Sequence, residues 1–175
     1  QCIHRILPFA GQCSGVMFAS TFTVGMHPMS LVLKLRAAMA DFDGAAVSML
    51  SEASLPFRAD PQYSHALVFL FDDPEPTIQI GASWLLLDHV KTKKALRPEY
   101  LDELAPRLEG VTAWMAALHV LQALDFYKAP HHKADKFAAF CQQHLTHDRP
   151  FLRAWSMNAL CRLAAQHRSE EHTSE

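Results

Sequence analysis

From Ser30 to His167, apolar side chains recur every three or four positions, the period of helices that each bury one face. Leu31, Leu35, Ala38, Met39 and Phe42 make the first stripe, and the stretch Asp41 to Gly44 breaks it. Ala46, Val47 and Leu50 carry a short second helix, after which Pro56 and Pro61 bracket a connection. Tyr63, Ala66, Leu67, Leu70 and Phe71 form a third stripe, ended by Asp72-Asp73-Pro74. The next helix, from about Pro76 to Val90, is apolar nearly all round, with Ile78, Ile80, Ala82, Trp84, Leu85, Leu86 and Leu87. Such a helix must be covered on more than one side. Asp73 or Glu75 is placed to cap it, and Pro76 suits its first turn.

Pro98 opens a further helix carrying Leu101, Leu104 and Leu108, with Pro106 inside it and Gly110 after it. Val111 to Phe126 carries Trp114, Met115, Leu118, Leu121 and Leu124, and Ala129-Pro130 interrupts. His132 to His144 carries Phe137, Phe140 and Cys141. Asp148-Arg149-Pro150 restarts the chain, and Leu152, Trp155, Ala159, Leu160 and Leu163 form the last stripe, which stops at His167. Strand signals are scarce. The best apolar run, Val68 to Phe71, is accounted for by the helical stripe, so the fold class is all-α.

The helices repeat. Pro76 and Pro150 stand 74 positions apart, as do Ile78 and Leu152, Ala82 and Ser156, and Leu86 and Leu160. Ala116 takes the same small-residue place, 34 after Ala82 and 40 before Ser156. The mean step is 37 residues with two helices in each, a solenoid period. A small residue at that place lets neighbouring helices approach closely. Asp148, Pro150, Leu152-Arg153 and Ser156, together with Pro106 in Leu104-Ala105-Pro106-Arg107-Leu108, resemble the signature of the HEAT-repeat family. The resemblance spans about residues 57–167, with Ser30 to Ser54 as a degenerate leading pair. It departs at Gln79, where the family has Arg, and at Gly110-Val111-Thr112, where the middle copy has no Pro.

That resemblance implies an α-solenoid of antiparallel helix pairs, about three plus the leading one, over residues 30–167. It also implies a non-catalytic scaffold that binds another protein on its concave helical face. An irregular helical bundle is the alternative fold. Alternative functions are a DNA-gripping enzyme similar to HEAT-like DNA glycosylases, and a helper similar to HEAT-like chromophore lyases.

Composition narrows these readings. The 175 residues are 50% hydrophobic and 19% charged, enough for one domain with a real core and too apolar for a disordered chain. With 16 Lys+Arg against 18 Asp+Glu, no global field favours nucleic acid or an anionic membrane. The longest uncharged stretches are interrupted or too short to span a bilayer. Four cysteines, Cys2, Cys13, Cys141 and Cys161, form no CxxC pair. Cys141 and Cys161 lie in apolar helical patterns, where buried reduced thiols are expected, and a cytoplasmic setting follows.

The two ends differ from the middle. Residues 1–28 show no clear period and make a poor signal peptide, so they read as an irregular segment. The same stretch is open to a second reading as translated non-coding sequence, with Met26 or Met29 as the start. Residues 168–175, Arg168-Ser169-Glu170-Glu171-His172-Thr173-Ser174-Glu175, resemble a translated sequencing adapter and are expected to be a non-native tail.

Candidate chemistry is thin. Eleven histidines include His131-His132, His144 and His147 around one helix, but no HExxH or Cys/His pair at ligand spacing is present. They are expected as solvated helix-end residues, with no metal and no cofactor, while His119 and His89 are expected as satisfied core or groove residues. No GxSxG, phosphate loop or Cys/His nucleophile pair occurs, so no catalytic residue is assigned. Lys91, Lys93, Lys94 and Arg97 form one basic cluster after the apolar helix and are the candidate partner-binding residues. Trp84, Trp114 and Trp155 fall near the same stage of successive helices, where core packing is expected.

Overall fold

The computed structural model describes residues 28–93 and 96–171. Eight α-helices and two single 3₁₀ turns account for the regular structure, and no strand occurs among the described residues. The helices are α1 Pro28–Ala38, α2 Val47–Ser54, α3 Tyr63–Val68, α4 Pro76–Lys93, α5 Pro98–Arg107, α6 Trp114–Ala123, α7 Ala134–Gln143 and α8 Pro150–Glu171. The fold is therefore all-α. The leading segment expected over residues 1–28 lies outside the described residues apart from Pro28, as do Cys2, Cys13 and residues 172–175.

Two rows of contacts organise the helices. In one, α1 packs on α3, α3 on α5 and α5 on α7; in the other, α2 packs on α4, α4 on α6 and α6 on α8. The rows are joined where α1 meets α2, α3 meets α4 and α7 meets α8. Helix α4 consequently has neighbours on three sides, and none of its residues from Thr77 to Val90 is exposed. Gly81 sits at a close approach there. A Cβ at that position would lie 3.0 Å from Met39 Sδ and 3.2 Å from Leu50 Cδ2, side chains from the α1–α2 end. Ala82, Ala116 and Ser156 are all fully buried. The Ser156 hydroxyl is absorbed by donating to Leu152 O at 2.7 Å, so it packs as a small residue.

Polar contacts recur at about one step of the chain. Arg36 pairs with Asp73, 37 positions on, through Nε–Oδ2 at 2.7 Å and Nη2–Oδ1 at 3.2 Å. Ser83 meets His119 across 36 positions, Gln166 Oε1 accepts from the Ala129 N–H across 37, and Tyr100 OH donates to Pro61 O across 39.

Local sequence sets most helix starts. Asp43 Oδ1 accepts from the backbone N–H groups of Ala45 and Ala46 at 2.8 and 2.9 Å just before α2. These bonds hold its carboxyl below the ordinary range. Of the two residues expected to cap α4, Asp73 instead shapes the turn that leads into it, its Oδ1 accepting the Glu75 N–H at 2.9 Å. Proline opens α4, α5 and α8.

Several boundaries differ from the sequence pattern. Helix α6 starts at Trp114, not Val111, because Val111 and Ala113 are extended and the N–H groups of Thr112 and Ala113 are taken by Gln79 Oε1. The stripe through Phe71 continues past α3 as turns, with Leu70 N–H on Leu67 O and Phe71 N–H on Val68 O. Helix α8 runs past His167 to Glu171, four residues beyond the end of the apolar stripe.

Candidate protein-binding face

The row α4–α6–α8 exposes a side that is partly apolar, built on the same register as the core. Ile80 and Trp114 are 34 apart, as are Trp84 and Leu118, which is the separation of the buried pair Ala82 and Ala116. Ile80, Trp84, Trp114 and Leu118 are each half-buried. Ile80, Trp84 and Leu118 lean on the core with their remaining surface open. On α8, the positions 74 beyond Ile80 and Trp84 are Ala154 and Asn158. These smaller side chains, with Trp155 and Asp125, leave a hollow of about 210 Å³. A ridge on α4 and α6 thus runs into a hollow between α6 and α8.

Charges frame the face without crossing it. The Arg149 guanidinium lies 3.8 Å from the centre of the Trp114 ring, a cation–π contact that fixes the indole at the start of α6. Asp125 Oδ1 accepts from Asn158 Nδ2 at 3.2 Å and pairs with Arg162 Nε at 3.2 Å, closing one wall of the hollow. The tryptophans, expected to pack in the core, are all half-buried, and Trp84 and Trp155 pack against it. Trp84 is ninth in α4, Trp114 first in α6 and Trp155 sixth in α8, so they meet the face at different depths.

Of the basic cluster picked out from the sequence, Lys91 and Arg97 have described side chains. Lys91 is exposed near the end of α4, and Arg97 is exposed before α5, 3.7 Å from Glu99 and 5.7 Å from the Tyr100 ring centre. Lys94 and the side chain of Lys93 lie outside the described residues.

Among the described residues, His119 and Ser83 are a pair with the look of a dyad. Ser83 Oγ lies 3.0 Å from Ile80 O and 2.9 Å from His119 Nδ1, within hydrogen-bond reach of both. With only 1% of its surface exposed, Ser83 has no open approach for a substrate. Burial, aided by nearby Lys91, pushes His119 down to about 4, so the ring is neutral at pH 7. The pair serves as a polar bridge between α4 and α6.

The histidines were expected to be solvated, and His144 is not. It is buried against the Phe140 ring, 4.8 Å between centroids, because it closes the last turn of α7 toward the core. Burial and the neighbouring His147 push its pKa down. Cys161 is also the reverse of expectation, since it sits on the open side of α8 as an exposed free thiol. Cys141 is buried and free, and burial raises its thiol to about 12.

A second concavity, of about 280 Å³, lies beside the Arg58–Asp88 ion pair (3.2 Å) and is lined by Tyr63, Leu85, His89 and Thr92. Among the described residues, no group of three or more His, Cys, Asp or Glu is arranged to hold a metal ion. No described helix is long and apolar enough to cross a membrane. No family model, curated protein or solved structure matches the chain. Sequence reasoning missed the hollow, whose signal is the 74-residue register that aligns Ala154 and Asn158 with Ile80 and Trp84.

Proposed function

We propose that this chain is a HEAT-like α-solenoid segment, a non-catalytic scaffold that binds another protein along the open side of α4, α6 and α8. The two rows of helix contacts and the polar contacts spaced by 36 to 39 residues support the stacked-pair reading, since each pair then touches its sequence neighbours. The observation that carries the function is the ridge of Ile80, Trp84, Trp114 and Leu118 running into the Ala154–Asn158 hollow. Half-buried aromatic and aliphatic groups beside a pocket are the usual anchor points of protein interfaces. Reduced thiols at Cys141 and Cys161 favour a cytoplasmic setting.

The test is site-specific photocrosslinking in native extract. A benzoylphenylalanine replacing Leu118 should give discrete protein adducts that Trp84→Glu abolishes. The same group replacing Glu103, on α5 in the other row, should give none. Equal adducts from both positions, or recovery of nucleic acid in a salt-sensitive manner, would overturn the reading.

A further inference from the structure

Helix α2 is eight residues long and α4 eighteen. Leu50 of α2 already lies against Gly81, and α4 runs on to Lys93 while α2 ends at Ser54. The chain between α2 and α3 covers the remaining length of α4 only in part. It leaves the concavity of about 280 Å³, with Arg58 and Tyr63 on one side and Leu85, Asp88, His89 and Thr92 on the other. The last four share one side of α4 at helical spacing. The repeat does not require this set, since the positions 34 further on are His119, Gln122, Ala123 and Phe126.

The polar wall is held in place from beneath. Ser54 is 1% exposed, donates to Ser51 O at 2.9 Å and accepts from Arg58 Nε at 2.9 Å, which orients the guanidinium. Arg58 Nη1 meets Asp88 Oδ2 at 3.2 Å, yet both side chains keep about a third of their surface open, 35% and 33%. Tyr63 is 2% exposed, and its hydroxyl has no hydrogen-bond partner among the described residues, although Ser54 is a neighbour. Burial holds that phenol above its usual range, so it keeps its proton. A buried donor without an acceptor is the exception in a folded chain.

Charge narrows what fits. Arg58 and Asp88 give the lining one positive and one negative group. An anion seated on Arg58 would face Asp88, and a cation seated on Asp88 would face Arg58. A zwitterion satisfies both. An α-amino acid carries its carboxylate and ammonium on one carbon, so its two charges lie as close together as the two ends of this ion pair. The volume falls below the roughly 300–1,000 Å³ of sites for drug-sized ligands, so the occupant is small. Leu85 and the rings of Tyr63 and His89, 5.6 Å apart between centroids, give the same concavity an apolar side.

We propose that this concavity binds a free α-amino acid with an apolar side chain. Its carboxylate takes the Arg58 guanidinium and the Tyr63 hydroxyl, its ammonium takes the Asp88 carboxylate, and its side chain lies toward Leu85 and the His89 ring.

The test is a titration of the full chain with L-leucine to about 10 mM, followed by saturation-transfer NMR, a range that captures a Kd of about 1 mM or tighter. The expected result is saturable binding. N-acetyl-L-leucine, which lacks the ammonium, and L-leucinamide, which lacks the carboxylate, should each bind about tenfold more weakly or worse. Arg58→Met should weaken L-leucine by a similar factor. Thr92→Phe fills the concavity from an exposed position whose hydroxyl donates to its own helix at His89 O, so it should abolish binding with helical circular dichroism retained. The proposal is overturned if the natural chain shows no saturable signal. Equal binding of all three ligands also overturns it, as does binding of L-leucine that Thr92→Phe leaves unchanged.

Discussion

Gln79 and Arg153 stand 74 positions apart, and each donates to the carbonyl of the residue six positions before it. Gln79 Nε2 reaches Asp73 O at 2.8 Å, and Arg153 Nη1 reaches His147 O at 2.8 Å. Two different side chains thus tie the start of α4 and the start of α8 to the loops that lead into them. Gln79 does more. Its amide also donates to Gly110 O at 3.0 Å and its carbonyl accepts from the N–H groups of Thr112 and Ala113 at 2.9 and 3.1 Å. It holds the extended segment that leads into α6 from 34 residues away.

Truncating Gln79 should therefore be costly. Gln79→Ala strands backbone groups of Asp73, Gly110, Thr112 and Ala113 that a 2% exposed side chain now satisfies. Each buried group left unpaired costs about 1–3 kcal/mol, though water entering the gap repays part. A loss of roughly 2–4 kcal/mol in chemical denaturation is expected. Arg153→Ala releases carbonyls that water can reach, and should cost under about 1 kcal/mol. Equal losses for the two would show that Gln79 does not act as the bridge between pairs.

The same junction explains a contrast between two glycines. A Cβ on Gly110 would lie 2.6 Å from the Cβ and 3.2 Å from the Cα of Asp72, so main chain would have to move. At Gly81 the nearest atoms are the ends of Met39 and Leu50, at 3.0 and 3.2 Å, and flexible side chains can give way. Gly110→Ala is expected to lower stability by about 2 kcal/mol or more, as overpacking does. Gly81→Ala is expected to cost less, since alanine favours the helix interior by roughly 1 kcal/mol. Urea midpoints measured side by side would decide it, and a larger loss at Gly81 would refute the ordering.

What could be read from the chain followed from local causes. The all-round apolar run of α4 announced a helix covered on several sides, because no solvent-facing stripe remained among Ile78 to Val90. The Asp73 turn and the proline starts were legible because such signals act within two or three residues. The start of α6 was not, since Val111, Thr112 and Ala113 fit a helix by type and only distant Gln79 holds them extended. Cys161 was misjudged for a related reason. Its helix repeats the apolar pattern of α4, and periodicity does not record whether another helix lies against it. The proposed face was hidden in the same way, because half-buried Trp84 and Leu118 look like core residues until both rows are in place.

Thiol reactivity should separate the two described cysteines. Cys161 is exposed on α8, while Cys141 is buried in α7 and its thiol is raised to about 12. Thiolate is the reacting form, so Cys141 needs both exposure and deprotonation. Brief alkylation of the native chain at pH 7.5, followed by peptide mapping, should modify the Cys161 peptide and spare the Cys141 peptide. In denaturant both should react. Rapid native labelling of Cys141 would contradict its burial in α7.

The folded state should also be sensitive to mild acid through His119. Burial holds its pKa at about 4, below the ordinary 6.5 of an unfolded chain. Above pH 6.5 neither state binds the proton, and the contribution of His119 is fully present. Between pH 6.5 and 4 the unfolded chain binds a proton that the folded chain refuses, so stability falls as pH falls, by up to about 1.4 kcal/mol per unit. His65 and His144, also lowered by burial, act in the same direction. The lowered carboxyls of Asp43, Asp73 and Glu109 add their loss only at more acid pH, where they take up protons. His119→Gln keeps a donor for Ser83 Oγ but cannot titrate, so its melting temperature should fall less steeply from pH 7 to 4.5 than that of the natural chain. Parallel curves for the two would remove His119 as the source of the acid sensitivity.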